Sequence, residues 1–265
     1  MGNRYKNISG IFKTDTLIKT GQQYQIVLQT PADIDAILAL QATVMNELSE
    51  EEKSYLVPKD RAFFEKHFAS DNIVLGVMVD GKLVAQSVVV NPTKKNPKTG
   101  MTDMPGRIPP ERVTVIQGVI VHPDFRGNRL MTEMVDAWLN IARFEGRRHA
   151  IAEVTSDNHF SWGVFMKEGL QLHSIGYDAE DAVYLYNMHA NVKKLINARL
   201  QPAFNSAAAK HGPKAVTVAN TDIATQKKLL RKGFKGVARN SQTGAIIFDK
   251  PKAKGISAVI KKFLP

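Results

Sequence analysis

The 265-residue chain contains no cysteine, which excludes disulfides, thiolate metal sites and a cysteine nucleophile. No apolar run reaches the length that spans a bilayer, and Met1-Gly2-Asn3-Arg4-Tyr5-Lys6 lacks the apolar stretch of a secretion signal. A cytoplasmic protein without a membrane partner is the resulting expectation. The seven histidines, His122 and His149 among them, show no metal-ligand spacing, so they read as structural and no metal is expected. What is present suits an ordinary core, with 43% hydrophobic and 23% charged residues, and the length can hold one generous domain, or one domain plus a smaller one.

Acidic residues are unevenly placed. Residues 191–265 hold 16 Lys and Arg but only Asp222 and Asp249, whereas the rest carries 20 basic and 23 acidic side chains. The chain therefore reads as a near-neutral body with a strongly basic extension. Such an extension attracts anions, and RNA, tRNA or an acidic protein is the expected partner class. Its few aromatics (Phe204, Phe234, Phe248, Phe263) supply base stacking poorly, and a solvated face is the other reading.

The stretch from Val113 to Ile141 organises the body. Val113, Val115, Ile116, Val119, Ile120 and Val121 predict a buried strand ending at Pro123. Leu130, Met134, Ala137, Trp138 and Ile141 then recur at helical spacing, from a start near Asn128. Between them lies a short loop with Arg126 and Gly127. A helix start presents unpaired N–H groups and favours negative charge, and an arginine beside it grips phosphate bidentately. The spacing predicts a phosphate cradle, with an ordinary strand-to-helix turn as the other reading.

Around this core the remaining elements follow in order. Residues 1–22 show no period and read as an arm. Tyr24–Leu28 is a strand, and Thr30-Pro31-Ala32-Asp33 starts a helix whose buried stripe is Ile34, Ile37, Leu38, Met45 and Leu48. A short helix carries Phe63, Phe64 and Phe68. Ile73–Val79 and Leu83–Val90 form a hairpin through Asp80-Gly81. Residues 91–111 hold five prolines, three lysines and two glycines, a long loop of the kind that frames a site or is simply solvated; Lys94, Lys95, Lys98 and Arg107 are its candidate acceptor contacts. His149–Thr155 is a strand, Asn158 or Asp157 caps a helix closed by Gly169, and Leu172–Tyr177 with Val183–Met188 closes a hairpin. Beyond these come a helix (Val192–Phe204), a strand (Ala215–Ala219), a helix from Asp222 to Gly233, a hairpin (Val237–Arg239, Ala245–Phe248) and a basic amphipathic helix over Lys250–Pro265. The interval from Asp222 to Gly233 repeats that from Asn158 to Gly169.

Two of these stretches resemble the GNAT acetyltransferase superfamily. Val121-His122-Pro123-Asp124-Phe125-Arg126 is similar to its strand end and to the first position of its Arg/Gln-x-x-Gly-x-Gly/Ala loop, with Arg129 and Met131 standing where the family has glycine or a small residue. Arg129 then either narrows the cradle or adds a phosphate contact. Asn158, Ser161, Lys167 and Gly169 match a second motif about thirty residues on. The resemblance implies a mixed α/β fold: a central splayed sheet flanked by helices over 23–190, after an arm at 1–22. Residues 191–265 read as a degenerate partial repeat that does no chemistry, with a coincidental helix–hairpin similarity as the other reading.

By the same resemblance, acetyl-CoA lies between the strands Gly118–Val121 and Ala150–Thr155 while an amine attacks its thioester. Backbone groups of Val119, Ile120 and Val121 would pair with the pantetheine. Arg126, Gly127, Asn128, Arg129, Leu130 and Met131 would hold the diphosphate, and Asn158 and Ser161 would serve the pantetheine end. Glu153, placed as in ribosomal-protein alanine acetyltransferases, is the candidate general base, or else a structural glutamate. The family's acid tyrosine is replaced by Phe165, with Tyr184 or Tyr186 as possible substitutes. A non-catalytic CoA-binding or nucleic-acid-associated module is the competing reading.

Overall fold

The computed structural model describes residues 10–103, 108–200, 212 and 214–250. Residues 251–265 of the tail helix expected from Lys250, the end of the helix expected to reach Phe204, and Arg107 lie outside them.

The strands are β1 (Ile11–Thr16), β2 (Gln23–Leu28), β3 (Ile73–Val79), β4 (Lys82–Val90), β5 (Val113–Val121), β6 (His149–Thr155), β7 (Gln171–Asp178), β8 (Val183–Asn191), β9 (Val216–Val218), β10 (Lys235–Arg239) and β11 (Ile246–Asp249). They form one sheet in the order β1-β2-β3-β4-β5-β6-β8-β7-β10-β11-β9. Every pairing is antiparallel except β5 with β6. The helices are α1 (Ile34–Asn46), α2 (Arg61–Phe68), α3 (Leu130–Phe144), α4 (His159–Lys167), α5 (Val192–Arg199) and α6 (Ile223–Arg231).

Two apolar layers sandwich the sheet. On one face, Ile34, Ile37 and Phe64 of α1 and α2 pack on Val88, Val90, Val113, Val115 and Ile151. On the other, α3 and α4 bury Met134, Trp138, Trp162 and Phe165 against Ala150, Ala152, Tyr186 and Met188. Both indoles keep a partner in this dry layer: Trp138 donates to Thr114 Oγ1 at 3.0 Å and Trp162 to the Ser156 carbonyl at 2.9 Å. All five residues expected on the apolar face of α3 are buried.

Two details differ from expectation. The buried stripe of α1 runs through Leu40 and Val44, whereas Met45 is only half-buried and Leu48 lies past the helix end at Asn46. Residues 11–16, read as part of an arm, are instead an edge strand paired with β2. With little of β1 buried, its side chains have no reason to alternate, so no period marks it.

The region after α5 continues the same sheet. β10 joins β7 where Gly236 faces Leu172. Val154 faces Tyr186 across β6 and β8, as Val218 faces Ile246 across β9 and β11. Leu172 faces Met188 before a register shift, as Gly236 faces Phe248 before the same shift. The caps also correspond: Asn158 accepts from the Ser161 amide and Asp222 from the Thr225 amide, both at 3.0 Å. Side chains seat this region on the body. Tyr186 donates to Gln226 Oε1 at 2.8 Å, and Arg199 of α5 pairs with Asp136 of α3 and with buried Glu168 after α4.

Candidate active site

β5 and β6 are hydrogen-bonded only from Val113↔His149 to Ile116↔Ala152, and then they part. The cause lies in β5. Gly118 has φ +58°, and β5 carries one more residue than β4 there, since Val88 faces Gln117 while Gln86 faces Ile120. Such a bulge bends its strand, and glycine adopts the left-handed conformation without a steric cost. The parting leaves the β6-facing backbone of residues 117–121 without a strand partner and opens a cleft of about 210 Å³. Glu153, Gln86 and Tyr55 line it on the α1–α2 side, and Asn158, Ser161 and Phe165 on the α4 side.

Past the strand end, a 3-10 turn (Pro123–Phe125) leads into the loop before α3. Gly127 (φ +82°) and Arg129 (φ +61°) are both left-handed. Between them the Asn128 side chain is buried, accepting from the Lys19 amide at 2.9 Å and donating to the Phe125 carbonyl at 3.1 Å. Lys19 reaches over the loop from the β1–β2 turn, its ammonium donating to the Arg126 carbonyl at 2.8 Å. The amides of Gly127, Asn128, Arg129, Leu130 and Met131 have no backbone acceptor among the described residues. Donors of this kind at a helix start, with Arg126 and Lys19 beside them, are chemically suited to an anion. Arg129 is exposed and does not line the cleft.

Glu153 lies opposite Asn187 of β8, and the 91–103 loop closes over it. Its Oε1 accepts from the Thr102 amide and hydroxyl, both at 2.7 Å, and from the Asp103 amide at 3.2 Å. Burial pushes its pKa above the usual carboxylate range, and the Thr102 and Asp103 donors pull the other way without cancelling the effect. Oε2 receives no hydrogen bond among the described residues, which leaves one oxygen to take a proton.

Residues 40–170 match the sequence profile of the Acetyltransferase (GNAT) family. This region is a GNAT domain. No curated protein sequence matches the chain. Among solved structures, the GNAT domain of S. lividans PAT is 19% identical, with a TM-score of 0.49 over 67% of this chain and 95% of that one. yncA, a putative acetyltransferase from Salmonella typhimurium solved with acetyl-CoA, is 17% identical, with a TM-score of 0.48 over 64% and 94%. A ribosomal-protein-alanine N-acetyltransferase from Brucella melitensis is 19% identical, with a TM-score of 0.46 over 63% and 98%.

Within the GNAT domain the expected residues fall in two groups. Val119 and Ile120 line the cleft with Glu153, Asn158 and Ser161, while Val121 packs on the core at the strand end. Arg126, Gly127 and Arg129 form the exposed loop. The side chains of Asn128 and Leu130 are buried and that of Met131 packs on the core, so these three offer the loop their backbone. Asn158 spends Oδ1 on the Ser161 amide, and its amide donors have no acceptor among the described residues.

Of the substitute acids, Tyr186 is excluded: its hydroxyl is bound to Gln226 and to the Asn220 carbonyl. Tyr184 is partly exposed and outside the cleft, beneath Lys227. The tyrosine that does reach the cleft is Tyr55, in the connection from α1 to α2, its pKa raised by burial and by Glu52. No local pattern announces it. Gln86 was also missed, although a glutamine amid β4's apolar run was a visible signal; it is buried, and its Nε2 has no partner among the described residues. The histidines hold one surprise as well: His149, His173 and His189 meet across β6, β7 and β8, with His149 Nδ1 at 3.0 Å from His189 Nε2. Among the described residues no group has metal-holding geometry.

Proposed function

We propose that the chain is an acetyl-CoA-dependent N-acetyltransferase acting on an amine that enters from the α1–α2 side of the cleft. The observation that carries this is a through-sheet cleft beside the amides of Gly127 to Met131, which have no backbone acceptor among the described residues. Those amides, Arg126 and Lys19 hold the diphosphate, and the unpaired backbone of β5 pairs with the pantetheine. Asn158 donates from the α4 side. The amine nitrogen bonds to the acyl carbon while the C–S bond breaks and the thiolate departs. Glu153 Oε2 takes the ammonium proton, and amides of the β5 bulge stabilise the developing oxyanion. With Phe165 in place of a hydroxyl donor, the thiolate leaves without help from that position.

Residues 191–265 are, in this proposal, a partial repeat that extends the sheet and does no chemistry; the matching registers and caps support it. The expected anionic partner of this region rests on charge alone. Two of its cations, Lys227 and Lys250, lie over the rings of Tyr184 and Phe234.

The test is release of free thiol from acetyl-CoA across a panel of primary amines, read alongside acetyl-CoA binding by calorimetry. Amine-dependent release that disappears in Glu153→Gln supports the enzyme. Tight binding without release from any amine favours the non-catalytic reading, to which Phe165 and the committed Tyr186 hydroxyl lend weight.

A further inference from the structure

A second cavity lies at the far end of α3 from the phosphate loop. It has a volume of about 300 Å³, and its lining includes Arg112, Arg143, Arg147, Arg148 and Lys193 but no carboxylate. These side chains come from four places: the entry to β5, the end of α3, the start of β6 and the first turn of α5. Backbone hydrogen bonds fasten the four together. The Arg148 amide donates to the Arg112 carbonyl at 2.8 Å, the Val192 amide to the Arg148 carbonyl at 2.9 Å, and the Arg147 amide to the Ala142 carbonyl at 2.8 Å. The cations therefore cannot spread apart by moving their backbones.

One of them is structural. Arg147 pairs with Glu145 at 3.3 Å and donates to the carbonyls of Val113 at 2.6 Å and Pro92 at 3.2 Å. Arg112 gives one N–H to the Gly146 carbonyl and keeps the others. Arg143, Arg148 and Lys193 are exposed, and no ion pair to an acid is found for them among the described residues. The start of α5 at the rim adds the positive end of its dipole. Uncompensated like charges held around one hollow repel each other, and a bound polyanion relieves that repulsion. Guanidinium groups suit phosphate, which they grip bidentately.

We propose that this cavity binds a compact anion carrying two or more phosphate groups, at a site separate from the acetyl-CoA cleft. Its volume is at the small end of ligand pockets, which suits a di- or triphosphate group rather than a broad surface. The 15 residues of α3 separate it from the phosphate loop, which at 1.5 Å per residue is about 22 Å. The phosphates belong either to a free polyphosphate or nucleotide, or to a phosphodiester strand threading the site.

The experiment is calorimetry of the full chain with inorganic triphosphate at low salt, repeated with Arg148→Ala and Lys193→Ala. Both substitutions are on exposed side chains, and unchanged melting temperatures verify that the fold persists. Saturable binding is expected, weakened about tenfold or more by each substitution, as loss of a charge-assisted contact implies. Acetyl-CoA affinity is expected to stay the same. A labelled oligonucleotide displaced by triphosphate identifies a phosphodiester ligand. Triphosphate binding without oligonucleotide binding identifies a free polyphosphate. Absence of saturable triphosphate binding, or binding untouched by both substitutions, overturns the proposal.

Discussion

Arg129→Gly should make this protein more stable, against the usual direction for removing a large side chain. Arg129 has φ +61° and ψ 19°, a left-handed conformation that costs an L-residue roughly 1–2 kcal/mol. Glycine removes that cost but brings a more flexible unfolded chain, worth roughly 0.5–1 kcal/mol in the opposite sense. The side chain is exposed, and no hydrogen bond or ion pair of its own is found among the described residues, so little contact energy is lost. The net gain is about 0.5–1 kcal/mol, and at 2–4 °C per kcal/mol for chains approaching this size, Tm rises by about 1–4 °C. Gly127→Ala is the mirror experiment. Gly127 has φ +82°, and an added Cβ would lie 2.7 Å from the Lys19 Cε and Nζ atoms, so strain appears and Lys19 is pushed off the loop. It should cost about 1–2 kcal/mol. Urea denaturation and calorimetry of the two variants measure both signs. A destabilised Arg129→Gly would mean that the guanidinium supports the loop, and the reasoning from backbone conformation would be wrong.

Three more outcomes follow from the same geometry. Glu153→Gln keeps an oxygen for the Thr102 and Asp103 donors but cannot take a proton; the rate should fall about 10²–10⁴-fold with little change in Tm, and an acidic limb of the pH–rate profile above the usual carboxylate range should vanish with it. Burial and its histidine neighbours hold His189 to about 4 rather than 6.5. Below pH 6.5 the unfolded chain therefore binds more protons, stability drops towards pH 4 by about 3 kcal/mol, and His189→Gln should flatten that drop in urea melts at stepped pH. Gln226 is fully buried and links Tyr186 to the Ala219 and Asn220 carbonyls, so Gln226→Ala should cost about 2–4 kcal/mol and bring earlier proteolysis of the region after α5.

What the sequence made legible was local. The strand, loop and helix from Val113 to Ile141 announce themselves because apolar period, proline and glycine act within a few residues of one another. The Asn158 cap was readable for the same reason, whereas the matching cap by Asp222 emerged only from the structure. What escaped depends on pairing between distant segments. Lys19 covers the loop before α3 only because an exposed edge strand without a period carries it there. Glu153 was singled out by its position, but its clamp comes from Thr102 and Asp103 in a loop whose composition suggested only solvent or a site. The His149, His173 and His189 cluster exists through the register of three strands, which spacing along the chain cannot reveal. Tyr186 was read as a possible acid because its strand was visible, whereas its partner Gln226 was not.

The most direct measurement is a titration of the isotopically labelled protein with acetyl-CoA, followed through backbone amide chemical shifts. The account predicts saturable shifts at Gly127–Met131 and at Val119–Val121, with the amides of β9 and β11 unmoved. Saturation of binding with those amides unchanged, or shifts gathered elsewhere on the sheet, would contradict it.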